Sequence, residues 1–294
     1  MAQVLHNPKC AAQHIGTWMV ESTWFGEAVA SIKAGIWDIR AASPIIPSTA
    51  ESSSDYFEIT SDGIAIVSLQ GPLMKPWSKY GGTSTLFARS MIRDAVKNPQ
   101  VRGIMMHIDS PGGTVSGTHD LALEVQRASA QKPVYAHIDD LGASAAYWIA
   151  SQASRITANA TALVGSIGTY SVVHDFSKQA ELTGIEVIVV STGDFKGAGV
   201  PGTKITDDQI AEIQNRVNDL NEFFIKGVSN GRDMDRADLE KLADGRVFIA
   251  KTARANGLID RVTDFTSSYN DIVVDLNRMD KQRRVSSDVR GSRV

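Results

Sequence analysis

The chain has very little cysteine, no long apolar run and no excess of either charge. Cys10 is the single cysteine among 294 residues, so an intramolecular disulfide is excluded and a disulfide-rich secreted domain is not indicated. No apolar run approaches the roughly 18 residues that a membrane-spanning helix needs. Lysine and arginine number 30 against 33 aspartates and glutamates, and this balance gives no indication of nucleic-acid or membrane-surface binding.

The composition is that of a folded protein. Apolar residues make up 43% of the chain and charged residues 21%, which is typical of globular domains. The first residues lack the basic segment followed by an apolar one that marks a secretory signal. We therefore expect a cytoplasmic location.

Composition also divides the chain into three regions, residues 1–54, 55–265 and 266–294. The first is an N-terminal segment with a predicted helix over Thr23–Ala34, and it ends in a Ser- and Pro-rich linker over 42–54. Three tryptophans lie around this helix and indicate either packing on the main domain or a docking surface: Trp18, Trp24 and Trp37.

The last region, 266–294, is rich in basic residues set among Ser, Gly and Asp: Arg278, Lys281, Arg283, Arg284, Arg290 and Arg293. This pattern predicts a mobile basic tail. Such a tail could contact nucleic acid or a partner protein, although its composition favours a solvated end.

The middle region alternates between strand and helix patterns. Strands are expected at Ile64–Leu69, Arg102–Ile108, Pro133–Ile138, Thr161–Val164, Thr169–His174 and Ile185–Val190. Helices are expected at Ser84–Val96, Thr118–Ser129, Ser144–Gln152 and Phe176–Leu182. A long amphipathic helix follows Thr206, which has capping-box spacing to Gln209. Alternation of this kind predicts an α/β architecture with parallel strands.

Two loops in this region could carry chemistry. Asp109-Ser110-Pro111-Gly112-Gly113 leaves a predicted strand, and its glycines let backbone N–H groups approach a ligand or stabilise an oxyanion. Ser144 stands among small residues after the strand predicted at Pro133–Ile138. It begins the helix predicted at Ser144–Gln152, where first-turn N–H groups favour negative charge. A plain tight turn and an ordinary helix cap would also explain them. Loops at the carboxyl ends of neighbouring parallel strands share one edge, so we expect the two to converge.

A nucleophilic serine needs a base. None of the six histidines lies in a short loop expected at that edge. Lys196 lies in a Gly-rich loop after the strand predicted at Ile185–Val190, beside Phe195, which could help to desolvate it. A lysine serves as a base when burial lowers its pKa from about 10.4 to roughly 7–8. A solvated surface lysine is the alternative.

One further pattern resembles a nucleotide-binding motif. Gly197 to Gly202 fits G-x-G-x-x-G, but dinucleotide binding requires the glycines to open a helix directly. Here Pro201 interrupts the motif and the helix begins only after Thr206. We therefore expect no cofactor, and no metal site is indicated.

Ordered motifs between residues 60 and 265 resemble the signal peptide peptidase A family of Ser/Lys peptidases. The matching segments are Asp109–Gly113, Gly142–Tyr147, Val164–Gly168 and Asp244–Phe248. Lys196, 52 residues after Ser144, falls where single-domain bacterial members carry their base.

The resemblance implies a Clp/crotonase-type α/β fold of repeated strand–strand–helix units with a parallel sheet, and self-assembly into a homo-oligomer. It implies that Ser144 attacks a peptide carbonyl, that neutral Lys196 accepts its proton and that Ser166 orients the lysine. It also implies an oxyanion hole of backbone N–H groups from Gly112, Gly113 and Ala145.

Some features depart from the family pattern. Ala145-Ala146 stand where many members have two glycines, and no membrane anchor is apparent. With its Trp-containing N-terminal segment, the chain is more similar to the phage and prophage branch, whose prohead proteases trim scaffold and capsid proteins. We therefore expect a serine endopeptidase of capsid assembly that acts in the host cytoplasm or inside the assembling capsid.

Four other hypotheses about the function remain open. A cytoplasmic bacterial peptidase of the same family would degrade peptides, and a non-catalytic assembly protein would need neither Ser144 nor Lys196. A Clp-type Ser/His/Asp peptidase would need a histidine about two dozen residues after the serine; residues 166–170 hold none and His174 comes late. A crotonase-like acyl-CoA enzyme gives Lys196 no role.

Overall fold

The computed structural model describes residues 17–20, 57–76 and 82–291. Outside these ranges lie the predicted N-terminal helix, its linker and two of the tryptophans: Thr23–Ala34, 42–54, Trp24 and Trp37.

The chain falls into two compact units. The larger comprises Met19–Gly168 and Phe223–Val294, and the smaller comprises Met1–Trp18 and Thr169–Glu222. These units do not test the predicted domain boundaries near residues 54 and 265, which stay a prediction.

The secondary structure alternates between strands and helices through most of the chain. The strands are β1 (Thr17–Val20), β2 (Glu58–Ile59), β3 (Ile64–Gln70), β4 (Leu73–Met74), β5 (Thr83–Ser84), β6 (Gly103–Ser110), β7 (Gly112–Thr114), β8 (Val134–Ala143), β9 (Arg155–Ala158), β10 (Leu163–Gly165), β11 (Tyr170–Ser171), β12 (Val247–Ile249) and β13 (Arg261–Val262). The helices are α1 (Thr85–Lys97), α2 (Thr118–Ser129), α3 (Ala145–Ala150), α4 (Ser177–Leu182), α5 (Asp207–Arg232), α6 (Arg236–Glu240), α7 (Ala250–Ala255) and α8 (Phe265–Gly291).

The larger unit is built on a mixed sheet with the strand order β12-β10-β8-β6-β3-β2. Strands β3, β6, β8 and β10 run parallel, and the edge strands β2 and β12 are antiparallel to their neighbours. β9 pairs with both β8 and β13. A second, smaller sheet places β7 beside β4, and β4 beside β5, all parallel. The predicted α/β architecture with parallel strands is therefore confirmed.

Local sequence explains why these elements form. The central strands are runs of apolar and β-branched residues that parallel sheets bury on both faces, and β6 is buried along most of its length. Helix α1 begins where the Ser84 hydroxyl accepts the N–H of Phe87 at 3.3 Å. Its buried face then packs into the main core through Ala88 and Ile92.

The segment after Phe265 is a helix and not the predicted mobile tail. Ile272 and Leu276 are buried against strands β3, β6 and β8. Arg102 pairs with Asp280 of this helix at 2.8 Å. The prediction of a mobile tail is therefore wrong for this helix. It rested on the many basic residues and overlooked an apolar pair at i, i+4 spacing.

The smaller unit contains short strands, the short helix α4 and the first part of the long helix α5. Thr17 and Trp18 of β1 pair antiparallel with Ser171 and Tyr170 of β11. The predicted capping box at the start of α5 is confirmed, since the Gln209 N–H donates to the Thr206 hydroxyl at 3.2 Å and the Thr206 N–H donates to the Gln209 side chain at 3.3 Å. No residue from Thr169 to Glu222 is buried.

The prediction of a strand at Ile185–Val190 is wrong. This segment has no regular secondary structure, and its apolar side chains are exposed, with Ile188 at 74% and Val190 at 94%. An apolar run predicts burial only if some surface covers it, and a surface that binds another protein has the same composition.

Within the described ranges, none of the helices is long and apolar enough to cross a bilayer.

Candidate active site

Ser144 occupies a strained turn between strand β8 and helix α3. Its backbone angles are φ 54° and ψ −120°, which a non-glycine residue adopts only at an energetic cost. The neighbouring side chains at 143, 145 and 146 are buried alanines, so the turn has no bulk of its own around the serine. The predicted strand–turn–helix arrangement at this serine is confirmed.

The hydroxyl of Ser144 is buried and unpartnered. The residue is only 1% exposed, and among the described residues its Oγ has no hydrogen-bond partner. Its backbone N–H, in contrast, donates to the carbonyl of Gly165 at 2.7 Å. The backbone of Ser144 is therefore held by a hydrogen bond, while its hydroxyl keeps an unused hydrogen-bonding capacity.

The glycine loop lies directly against this turn. Gly112 has φ 98°, and a Cβ built there would lie 2.9 Å from both the carbonyl oxygen of Ala143 and the N of Ala145. It would also lie 2.3 Å from the carbonyl oxygen of Met19. Only glycine fits this position, and the predicted convergence of the two loops is confirmed.

The loops present backbone N–H groups of different availability. The Gly112 N–H donates to the Ser110 hydroxyl at 3.2 Å. Ala145 is the first residue of α3, and a first-turn N–H has no acceptor within its own helix. Gly113 packs tightly on β4, where a Cβ would lie 1.7 Å from the carbonyl oxygen of Leu73. The Gly112 N–H is thus already engaged, while the Ala145 N–H has no acceptor within its own helix. The role of Gly112, Gly113 and Ala145 as oxyanion donors stays a prediction.

Ser166 lies beside the turn that carries Ser144. It follows Gly165, whose strand β10 runs parallel to β8 with Gly165 opposite Ala143. Ser166 is buried with φ 50°, and its N–H donates to the carbonyl of Arg246 at 2.8 Å. Two buried serines in strained conformations thus follow directly on paired residues of neighbouring strands.

Lys196 belongs to the smaller unit. It lies in a series of turns, where its N–H donates to the carbonyl of Gly193 at 3.1 Å. Lys196 and Phe195 are both exposed. The role of this lysine as a base stays a prediction.

The four histidines in the described part of the chain have other partners. His107 contacts the carboxylate of Asp139 at 2.6 Å, and His137 contacts the hydroxyl of Thr157 at 2.8 Å. Burial lowers the pKa of His137. His119 and His174 contact aromatic rings. Since the Ser144 hydroxyl has no hydrogen-bond partner among the described residues, none of these rings acts as its base in this structure.

Two aspartates near this edge carry no motif that would single them out. Asp139 and Asp140 stand in the otherwise apolar end of β8, and Asp139 contacts both His107 and Asn159. Two consecutive aspartates at the end of an apolar run were the available signal, and the structure leaves Asp139 half-buried and Asp140 exposed.

A strained serine at the carboxyl end of a parallel strand, at the start of a helix and beside a glycine loop, resembles the strand–turn–helix arrangement of nucleophilic hydrolase sites. The comparisons with known proteins agree. The model of peptidase family S49 matches residues 126–278, and the chain belongs to this family.

Relatives of the chain include bacterial and phage proteins. It is 30% identical over 208 residues to Protease 4 of Salmonella typhi, covering 70% of this chain and 33% of that protein. It is 32% identical over 213 residues to capsid assembly protease C of Escherichia phage lambda, covering 70% and 48%. It is 27% identical over 222 residues to the head-tail preconnector protein GP5 of Enterobacteria phage P21, covering 74% and 44%. The chain thus spans between a third and a half of these relatives.

We predict that Gly112→Ala destabilises the larger unit by roughly 1–3 kcal/mol, since alanine is strained at this φ and its methyl group would meet backbone atoms on three sides. Thermal unfolding measures the loss. Gly193→Ala is the control, because a Cβ there meets nothing within 4 Å. Equal melting temperatures for Gly112→Ala and wild type would contradict the close approach.

Proposed function

We propose that the protein is a serine endopeptidase that uses Ser144 as the nucleophile and Lys196 as the general base. The observation that carries the proposal is the buried, unpartnered Ser144 hydroxyl on a strained turn against the glycine loop. Buried polar atoms without partners are rare in folded proteins and are concentrated at functional sites. Family membership and the names of the protease relatives support the same chemistry.

In the proposed mechanism, the Ser144 Oγ bonds to the peptide carbonyl carbon while its proton passes to the neutral Nζ of Lys196. The carbonyl oxygen becomes an oxyanion that accepts hydrogen bonds from the N–H groups of Gly113 and Ala145. The C–N bond then breaks, and protonated Lys196 gives its proton to the leaving amine. Water attacks the resulting ester with Lys196 again as base, which releases the acid product and restores Ser144. Ser166 orients the lysine through a hydrogen bond.

The proposal requires that Lys196 be covered during catalysis. A lysine acts as a base near neutral pH only when burial lowers its pKa from about 10.4. Lys196 is exposed in the described chain. We propose that substrate and a second copy of the chain supply the missing cover.

Self-assembly is supported by the apolar surface of the smaller unit. None of residues 169–222 is buried, and the exposed side chains include Leu182 at 88% and Val190 at 94%. Ordering 54 residues costs about 1–2 kcal/mol each in backbone entropy, which burial of apolar surface normally offsets. A second copy of the chain would bury this surface and form a homo-oligomer.

Capsid and scaffold proteins are the proposed substrates, in the host cytoplasm or inside the assembling capsid. The similarity to capsid assembly protease C and to the preconnector protein GP5 supports this choice. Degradation of peptides by a bacterial enzyme is the second candidate, and the similarity to Protease 4 favours it. Incubating the purified protein with capsid and scaffold proteins and with unstructured peptides, followed by mass spectrometry, distinguishes the two.

We also propose that the fold is of the Clp/crotonase type. Its support is a repeated strand–strand–helix unit, in which a long strand joins the large sheet and a short strand joins the small one before a helix follows. The units are β6-β7-α2 and, with one additional short strand, β3-β4-β5-α1.

We predict that Ser144→Ala and Lys196→Ala each reduce peptide cleavage at least 10³-fold, because removing a nucleophile or its base leaves only the contribution of the oxyanion hole and binding. Cleavage is measured by mass spectrometry with matched circular dichroism spectra. Ser116→Ala and Lys204→Ala are the controls, since both replace exposed side chains. Full activity in either dyad variant would exclude the mechanism and favour a non-catalytic assembly role or another base.

The rate should increase with pH, because deprotonation of the lysine creates the base. We predict that kcat/KM rises about tenfold per pH unit below the pKa of the base and then levels off. Initial rates between pH 6 and pH 9 measure this profile, and circular dichroism across the same range controls for unfolding. A flat profile would argue against a lysine base.

We predict that Val190→Asp shifts the protein towards monomers and lowers its specific activity, because it places a charge in the proposed contact. Sedimentation velocity over a concentration series measures the assembly. Gln131→Asp adds the same charge at another exposed position and should leave assembly unchanged. A wild-type protein that stays monomeric at all concentrations would refute self-assembly.

A further inference from the structure

Strand β8 contains a bulge immediately before the nucleophile turn. Its register with β6 runs from Ile108 opposite Ile138 to Ser110 opposite Gly142. Asp109 alone therefore faces the three residues Asp139, Asp140 and Leu141, which we call the β8 bulge. Bulges near active sites commonly redirect the side chains that follow them.

The β8 bulge sets the register of everything downstream. After it, Gly142 and Ala143 pair with Val164 and Gly165 of β10, and the Ser144 N–H reaches the Gly165 carbonyl at 2.7 Å. Side chains alternate between the faces of a sheet, so a slip of one residue would turn each downstream side chain to the opposite face. The direction of the Ser144 hydroxyl thus depends on the bulge keeping the register that follows it, since a gain or loss of one residue there would reverse the face.

Asp139 fixes the bulge from both sides. One carboxylate oxygen contacts Nε2 of His107 at 2.6 Å, and the other accepts the side-chain N–H of Asn159 at 2.9 Å. His107 is on β6 and Asn159 follows β9, so this single carboxylate joins the two strands that flank β8. Hydrogen bonds to a charged group are stronger than those between neutral groups.

A second carboxyl group holds the other end of the bulge. Asp109 accepts the backbone N–H of Leu141, while burial, followed by the charge of Asp140, raises the pKa of Asp109. Asp109 itself belongs to the glycine loop. This contact therefore ties the bulge to the loop that supplies the oxyanion donor.

The residues around the β8 bulge are also held by hydrogen bonds and ring contacts. Buried His137 contacts Thr157 at 2.8 Å, and Thr157 contacts Ser268 of helix α8 at 2.7 Å. The ring of Phe265 lies 4.7 Å from the ring of His107 and 5.5 Å from that of His137, between centroids. The first turn of α8 thus covers the residues that hold Asp139.

We propose that Asp139 is a positioning residue: its carboxylate, clamped between His107 and Asn159, locks the β8 bulge and thereby the register that presents Ser144 to the glycine loop. This proposal rests on the proposed function for its kinetic consequence but not for its structural one.

The test is Asp139→Asn, which keeps the size of the side chain and removes its charge. We expect kcat per titrated active site to fall about 10- to 100-fold, since a shift of about 1 Å at a reacting group can cost 10²-fold, while KM changes less than threefold. Amide hydrogen exchange over residues 141–146, followed by mass spectrometry, should become at least tenfold faster.

Two matched comparisons separate positioning from general stability. Asp280→Asn breaks the ion pair of α8 with Arg102 and should leave kcat and exchange at 141–146 unchanged. His107→Gln retains a donor near Nε2 and should keep more activity than His107→Leu, at equal melting temperature.

Wild-type kcat and wild-type exchange in Asp139→Asn would overturn the proposal, and so would an equal loss in Asp280→Asn. If Ser144→Ala retains the activity of the wild type, the proposed function fails. The exchange measurement then still decides whether Asp139 locks the bulge.

Discussion

The backbone of Ser144 is held at φ 54° and ψ −120° by the hydrogen bond from its N–H to the Gly165 carbonyl and by the close approach of Gly112. A conformation of this kind costs of order 1–3 kcal/mol and persists only where its surroundings impose it. Those surroundings are two neighbouring parallel strands and the second, smaller sheet, which brings the glycine loop into place. The α/β frame of the larger unit can be understood as the means of imposing this one turn.

Residue types and their order predicted much of the frame and both loops. The capping box at Thr206 and the convergence of the 109–113 loop on Ser144 both follow from local chemistry and from the rule that parallel strands end at one edge. The β8 bulge could not be predicted, because hydrophobic alternation does not reveal a strand that gains two residues over its neighbour. Helix α8 could not be predicted because its many basic residues outweigh its two buried apolar residues in the composition. The strand prediction at Ile185–Val190 was wrong because composition does not show whether another surface covers an apolar segment.

The two units differ in a way that bears on the chemistry. The larger unit buries Ser144, Ser166, the glycine loop and an extensive apolar core. The smaller unit carries Lys196 on a segment in which none of residues 169–222 is buried. Under the proposed mechanism, packing holds the nucleophile Ser144 in place, while the base Lys196 must still be buried by substrate and a second copy of the chain. Such a division would couple proteolysis to assembly, because an exposed lysine is a poor base and a buried one is an effective base.

The most direct test of the central claim is covalent labelling with a fluorophosphonate, followed by peptide mapping with mass spectrometry. One adduct is expected, on the Ser144 hydroxyl, and it should be lost in Ser144→Ala and form much more slowly in Lys196→Ala. Labelling of a different residue, or labelling at Ser144 at the same rate with and without Lys196, would contradict it.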